Sequence, residues 1–201
     1  MRDYKPYTLL DAAAPRAITS STNATPIEVT ATGHGLVTGD KITISGHATN
    51  TAANGTWTVT KVGNDTFTLD TSVGNGIGAG TGVFAKGGKA ILVDDFGHAI
   101  LSFNTDGGGD AAFTVKLVGS IQETIPDFAE AQSSSNSYDY IEMIDLQDGS
   151  SIDGDTGFVV ATADDHRLFE ANINGLRWLS VVPTAGTAGE ITVKARLFTK
   201  E

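Results

Sequence analysis

The sequence predicts an all-β protein, and three observations carry that expectation. Apolar and polar residues alternate with a period of two in short bursts such as Ile27-Glu28-Val29-Thr30, Lys41-Ile42-Thr43-Ile44 and Trp57-Thr58-Val59-Thr60, the signal of strands with one buried face. The 24 glycines fall largely between these bursts, where turns need positive φ. No window sustains helical periodicity; the best, 126–132, offers one or two turns before Ser133-Ser134-Ser135.

The elements follow in order. An apolar strand, Tyr7-Thr8-Leu9-Leu10, precedes Asp11, three alanines and Pro15. It is too short to fold alone and must dock elsewhere. From 18 to 87 the chain is rich in Thr and Gly, with turn signals at Gly33-His34-Gly35, Thr38-Gly39-Asp40, Asn54-Gly55 and Gly63-Asn64-Asp65. This stretch reads as a small β-barrel module of about five strands. Beyond Gly87-Gly88 the strands lengthen: 89–94, 98–103, 113–121, 138–146, 157–163, 167–172, 176–182 and 191–198. Eight strands at this spacing predict a jelly-roll-like β-sandwich. The expected division is therefore 1–17 as a strand docking on the C-terminal sandwich, 18–87 as an inserted or preceding barrel, and 88–201 as the sandwich.

Composition narrows the function. The net charge of −11 argues against nucleic acid, whose phosphates demand a basic patch. Without cysteine there are no disulfides, thiolate nucleophiles or common structural zinc sites. No apolar run has membrane-spanning length, and Met1-Arg2-Asp3-Tyr4-Lys5-Pro6 lacks a signal-peptide core, so no membrane partner is expected and the chain is expected in the cytoplasm until assembly.

The candidate chemistry is thin. His34, His47, His98 and His166 show no metal-ligand spacing and read as structural or surface residues. Gly149-Ser150-Ser151 is no nucleophile elbow. The glycine clusters at 74–82 and 107–109 lack the Lys-Ser/Thr ending of a phosphate loop and read as hairpin tips. Trp57 and Trp178 lie in strand-like runs and read as core residues rather than sugar platforms. The sharper candidates are Asp145, Asp148, Asp153 and Asp155, whose carboxylates could offer hard oxygens to calcium. Their spacing fails the helix-loop-helix pattern, since counting from Asp153 puts Phe158 at the glycine position and Asp164 at the glutamate position. The expectation is no catalytic residue, no cofactor and no metal, with these aspartates as weak calcium candidates in a solvated turn.

Residues Thr30-Ala31-Thr32-Gly33-His34-Gly35-Leu36, Thr38-Gly39-Asp40-Lys41-Ile42-Thr43-Ile44-Ser45-Gly46, Asn54-Gly55-Thr56-Trp57-Thr58-Val59 and Asp65-Thr66-Phe67-Thr68-Leu69 resemble a small β-module recurrent in phage structural proteins. That module is in turn similar to the first catalytic-cysteine half-domain of ubiquitin-activating enzymes, in fold only, for this chain has no cysteine. The remainder looks like a β-sandwich of tailed-bacteriophage virion proteins, through Tyr7-Thr8-Leu9-Leu10-Asp11-Ala12, Val115-Lys116-Leu117-Val118-Gly119-Ser120, Ile125-Pro126-Asp127-Phe128, Leu176-Arg177-Trp178-Leu179-Ser180-Val181 and Ile191-Thr192-Val193-Lys194-Ala195-Arg196. The resemblance implies a non-enzymatic virion protein, a capsid decoration or accessory protein on the outer head surface. Its partners would be other virion proteins, the major capsid protein or tail and neck components, and further copies of itself in a homo-oligomer such as a trimer. The alternatives are a tail or neck appendage contacting host-surface glycans, and a carbohydrate-binding module.

Overall fold

The structure, a computed structural model, describes residues 4–13, 16–106, 113–128, 132–160, 166–183 and 190–199. The chain is all-β, and it divides into two compact units: Met1–Ala13 with Gly88–Glu201, and Ala14–Gly87. Among the described residues the only helical element is a single 3₁₀ turn, Thr51–Ala53, and no helix is long and apolar enough to cross a membrane.

The first strand is β1 (Tyr4–Ala13). The inner unit then contributes β2 (Arg16–Ala17), β3 (Ser20–Ser21), β4 (Ile27–Thr30), β5 (Lys41–Ser45), β6 (Gly55–Lys61), β7 (Thr66–Leu69), β8 (Gly78–Ala79) and β9 (Val83–Lys86). Its sheet has the order β2-β9-β5-β6-β7-β4-β3-β8. Because β2 and β3 are halves of one run and β8 and β9 halves of another, the path starts and ends on the same two runs. Arg16 pairs with Phe84 and Ser20 with Ala79, and the Ile18 N–H donates to the Gly82 carbonyl at 3.1 Å between them. The sheet thus closes into a barrel, removing free edges.

Six runs build that barrel, not the expected five, and the unit begins before residue 18. The missed run is 16–21, where neither pair shows enough alternation to read as a strand. Inward-facing Ile27, Val29, Ile42, Ile44, Val59, Phe67, Leu69 and Phe84 fill the barrel, each at most 2% exposed. Phe67 meets both Phe84 and His34 edge to face, with centroids 5.3 and 5.1 Å apart, the arrangement ring quadrupoles prefer.

The outer unit resumes with β10 (Ile91–Leu92), β11 (Phe96–Asp106), β12 (Phe113–Ser120), β13 (Asp139–Ile141), β14 (Met143–Asp145), β15 (Ser151–Ile152), β16 (Phe158–Val160), β17 (His166–Asn172), β18 (Trp178–Pro183) and β19 (Glu190–Thr199). One sheet runs β1-β19-β11-β17-β14-β15; the other runs β10-β18-β12-β13, with β16 also on β12. Residues of both, among them Leu9, Leu101, Phe103, Leu117, Phe169, Leu179, Val181, Val193 and Leu197, share one core. The unit is a β-sandwich. β1 enters it on β19, from Tyr4 opposite Phe198 to Ala13 opposite Ile191, with two register shifts.

Two sequence-based strands differ here. The expected strand 138–146 is broken at Glu142: β13 pairs with β12 in one sheet and β14 with β17 in the other, so the chain changes sheets within one segment. The expected helical turns at 126–132 do not form over 126–128; residues 129–131 lie outside the described residues. That segment is held instead by reciprocal bonds, the Asp127 N–H donating to Asn136 Oδ1 at 2.8 Å and the Asn136 amide returning to the Asp127 carbonyl at 2.9 Å.

Candidate functional site

The aspartate-rich hairpin of the sandwich is where the sequence placed its metal candidates. Asp145 is 1% exposed, forms an ion pair with Arg167 through Oδ2, and accepts the Gln147 N–H on Oδ1 at 2.8 Å. Asp148 accepts the Ser150 N–H at 2.9 Å. Hydrogen bonding to Ser150, with a smaller contribution from the Arg167 charge, holds its carboxyl below the usual carboxylate value of 3.8. Asp153 accepts the Thr156 N–H at 3.1 Å in the next turn, and Asp155 is exposed. Asp145, Asp148 and Asp153 are thus occupied as separate turn caps. Among the described residues no three His, Asp or Glu side chains come together as a possible metal site. Asp164 and the glycines 107–109 lie outside the described residues.

The histidines separate into two kinds. His98 and His166 are exposed, facing Glu170 at 3.3 Å and Asn104 at 3.2 Å. His34 and His47 are buried in the barrel. The Leu36 N–H donates to His34 Nδ1 at 3.0 Å and His34 Nε2 faces the Gly63 carbonyl at 3.0 Å. A backbone donor on one nitrogen and an acceptor on the other select the Nε2–H tautomer.

His47 is arranged the other way round. Its Nδ1 is 2.5 Å from the Thr81 carbonyl and its Nε2 is 2.7 Å from Ser21 Oγ, while the Asn50 amide donates to Ser21 Oγ at 3.0 Å. The consistent chain is Asn50 amide to Ser21 hydroxyl to His47 Nε2, and His47 Nδ1–H to Thr81. Sequence reasoning missed it, since its members lie 26 and 34 residues apart. The order of donors is that of a base-activated serine. Ser21 is only 3% exposed and Asn50 0%, however, so the hydroxyl is committed to internal partners, and the cluster's role is to clasp the barrel run 16–21 to the run 78–86.

That clasp also explains the glycines at 74–82, expected as a hairpin tip. Gly74 and Gly76 lie in the loop before β8, but Gly78, Gly80 and Gly82 form part of the barrel run 78–86 instead. A Cβ on Gly78 would lie 2.2 Å from His47 Nε2 and 2.5 Å from Ser21 Oγ, so the imidazole reaches serine only because no side chain intervenes.

The tryptophans are half-buried rather than fully internal. Trp57 packs against the barrel core and donates its indole N–H to the Ala53 carbonyl at 2.8 Å. Trp178 alternates with the buried Leu179 and so lies on the other face of β18, its indole N–H donating to the Gln122 carbonyl at 2.9 Å. The Gly149-Ser150-Ser151 segment is the exposed turn into β15.

A further row was not anticipated. Phe128, Tyr138 and Tyr140 stand edge to face, with centroids 5.3 and 6.1 Å apart, and the Lys116 ammonium sits 4.5 Å from the Tyr140 centroid. All four side chains are half-buried. The rings are distant in sequence from the tryptophans on which a sugar-binding reading would ordinarily focus.

No protein-family model matches the chain, and no curated protein matches it. Among solved structures it is similar to the SPBc2 prophage-derived protein YomS over 56% of this chain and 80% of that one, at 14% identity and a TM-score of 0.37.

Proposed function

We propose that this chain is a non-enzymatic structural protein of a tailed-bacteriophage virion, a capsid decoration or accessory protein that binds the outer head surface after assembly in the host cytoplasm. Its partners are the major capsid protein and further copies of itself. The observation that carries the reading is the interruption of a virion-like β-sandwich by a closed Thr/Gly-rich barrel resembling the small module of phage structural proteins. A jelly-roll assignment for the sandwich is supported by its strand orders, β1-β19-β11-β17 in one sheet and β10-β18-β12-β16 in the other, the pattern of two nested Greek keys. Passive binding fits side chains committed to structure: carboxylates that cap turns, and a serine–histidine pair sealed in the barrel wall.

Particles lacking the protein are expected to assemble but to lose infectivity on heating sooner than complete particles, because each copy adds interface between neighbouring capsid subunits. Unchanged heat resistance together with lost adsorption would instead favour a tail or neck appendage contacting host glycans. The Phe128–Tyr138–Tyr140 row favours that second reading, since partly exposed aromatic rings beside polar groups suit sugar faces.

A further inference from the structure

The outward face of the six-stranded sheet has a pattern the core does not require. Register places Thr8, Lys194, Ser102, Leu168 and Leu146 in one row across β1, β19, β11, β17 and β14. The adjacent row is Pro6, Arg196, Ile100, Glu170 and Ile144. The neighbours Phe169 and Asp145 point inward and are buried, so these residues point outward. Leu168, Leu146 and Ile144 are 50%, 46% and 44% exposed. The face is therefore divided: cations on β19, the exposed apolar residues Leu168 on β17 and Leu146 and Ile144 on β14, Glu170 of β17 facing His98 of β11 at 3.3 Å across the seam, and the exposed carboxylates of Glu142 and Asp148 flanking β14.

We propose that this face pairs with the same face of a second copy about a two-fold axis parallel to the strands along the β11–β17 seam. Such an axis lays β19 of each copy over β14 of the other. Lys194 then covers Leu146 with its aliphatic stem and carries its ammonium toward Asp148, and Arg196 covers Ile144 and reaches Glu142. Long cationic side chains suit this, because their stems bury apolar surface while their heads stay with the opposite charge. In a chain of net charge −11, gathering two cations onto one column offsets the repulsion that two copies would otherwise feel. Six strands about 4.8 Å apart and several residues long offer roughly 700 Å², close to the ~800 Å² per partner of a standard interface.

This proposal rests on the reading that the chain self-associates, and sedimentation equilibrium of the full chain separates the two. The wild type is expected to form dimers at about 10 µM. Leu168→Glu, at an exposed site, should weaken pairing by about 100-fold, and Arg196→Glu by about tenfold. Arg196→Glu combined with Glu142→Arg should recover most of the loss, a restoration that mere damage to the fold would not give. Thermal melting of each variant checks that it remains folded. Association that none of these substitutions changes would remove this face while leaving self-association intact. A monomer at about 100 µM would remove both.

Discussion

The barrel and the sandwich solve the problem of strand edges in opposite ways. The barrel closes its sheet by letting two runs each pair at two places, so no edge is left. The sandwich keeps open edges and covers one face of each sheet with the other. Their buried polar groups differ accordingly. Among the described residues the barrel holds Ser21, His34, His47, Asn50 and Ser72 and no carboxylate, whereas the sandwich, beside Thr105, Ser120 and Ser180, holds Asp145 against Arg167. Closure also makes insertion cheap. Within the barrel Arg16 pairs with Phe84, so the chain enters and leaves side by side; within the sandwich the Lys89 N–H donates to the Leu9 carbonyl at 2.7 Å, so the strands on either side of the insertion are already neighbours.

The largest expected effect comes from treating the two units unequally. A chain of residues 88–201 alone loses β1, with Leu9 and Leu10 at 1% and 3% exposed, and bares the full edge of β19. Two buried leucines at about 2–5 kcal/mol each approach the stability of a whole domain. It should aggregate or melt without cooperativity, while residues 1–13 joined directly to 88–201 should melt cooperatively. Equal melting temperatures would show that β1 does not complete that sheet.

Next in size are the aromatic cores, which share no residue. Phe67→Ala and Phe169→Ala each remove a fully buried ring and should cost about 3–5 kcal/mol. Residue-resolved hydrogen exchange should show the first weakening barrel amides and the second sandwich amides. Loss spread equally over both units from either substitution would break the distinction.

The polar insertions should rank in the same experiment. Asp145→Ala strands Arg167 without its carboxylate and should cost about 3 kcal/mol. His47→Ala leaves Ser21 and the Thr81 carbonyl without their ring partner and should cost about 2 kcal/mol. Denaturant midpoints check both, and a larger loss at His47 would reverse the contrast.

Smallest is Asp148. Its folded carboxyl sits below 3.8 because Ser150 bonds the charged form. Its contribution is therefore present above the unfolded value and fades as pH falls through the folded one. The stability difference between wild type and Asp148→Asn should shrink as pH falls below the ordinary carboxylate range. A difference that grew on acidification would contradict the sign.

How much of this was legible follows from the range over which each signal acts. Alternation marked β4, β5, β6 and β7 because each buries one face locally. The apolar pair Leu9-Leu10 marked β1 as a strand needing a partner, but its register on β19 is a pairing across the whole chain. The run 16–21 was hidden because its pairs are two residues long and Arg16–Ala17 is exposed. The glycines around Gly78 looked like a turn because the His47 ring that demands them is about thirty residues away in sequence. Of the candidate chemistry, residue types were visible, but whether carboxylates converge or cap separate turns is a property of the folded hairpin.

The head-surface assignment is tested most directly by immunogold electron microscopy of intact phage particles with an antibody to this chain. Gold regularly distributed over the head exterior is the expected result. Gold confined to the tail or neck, or absent from intact particles, would contradict it.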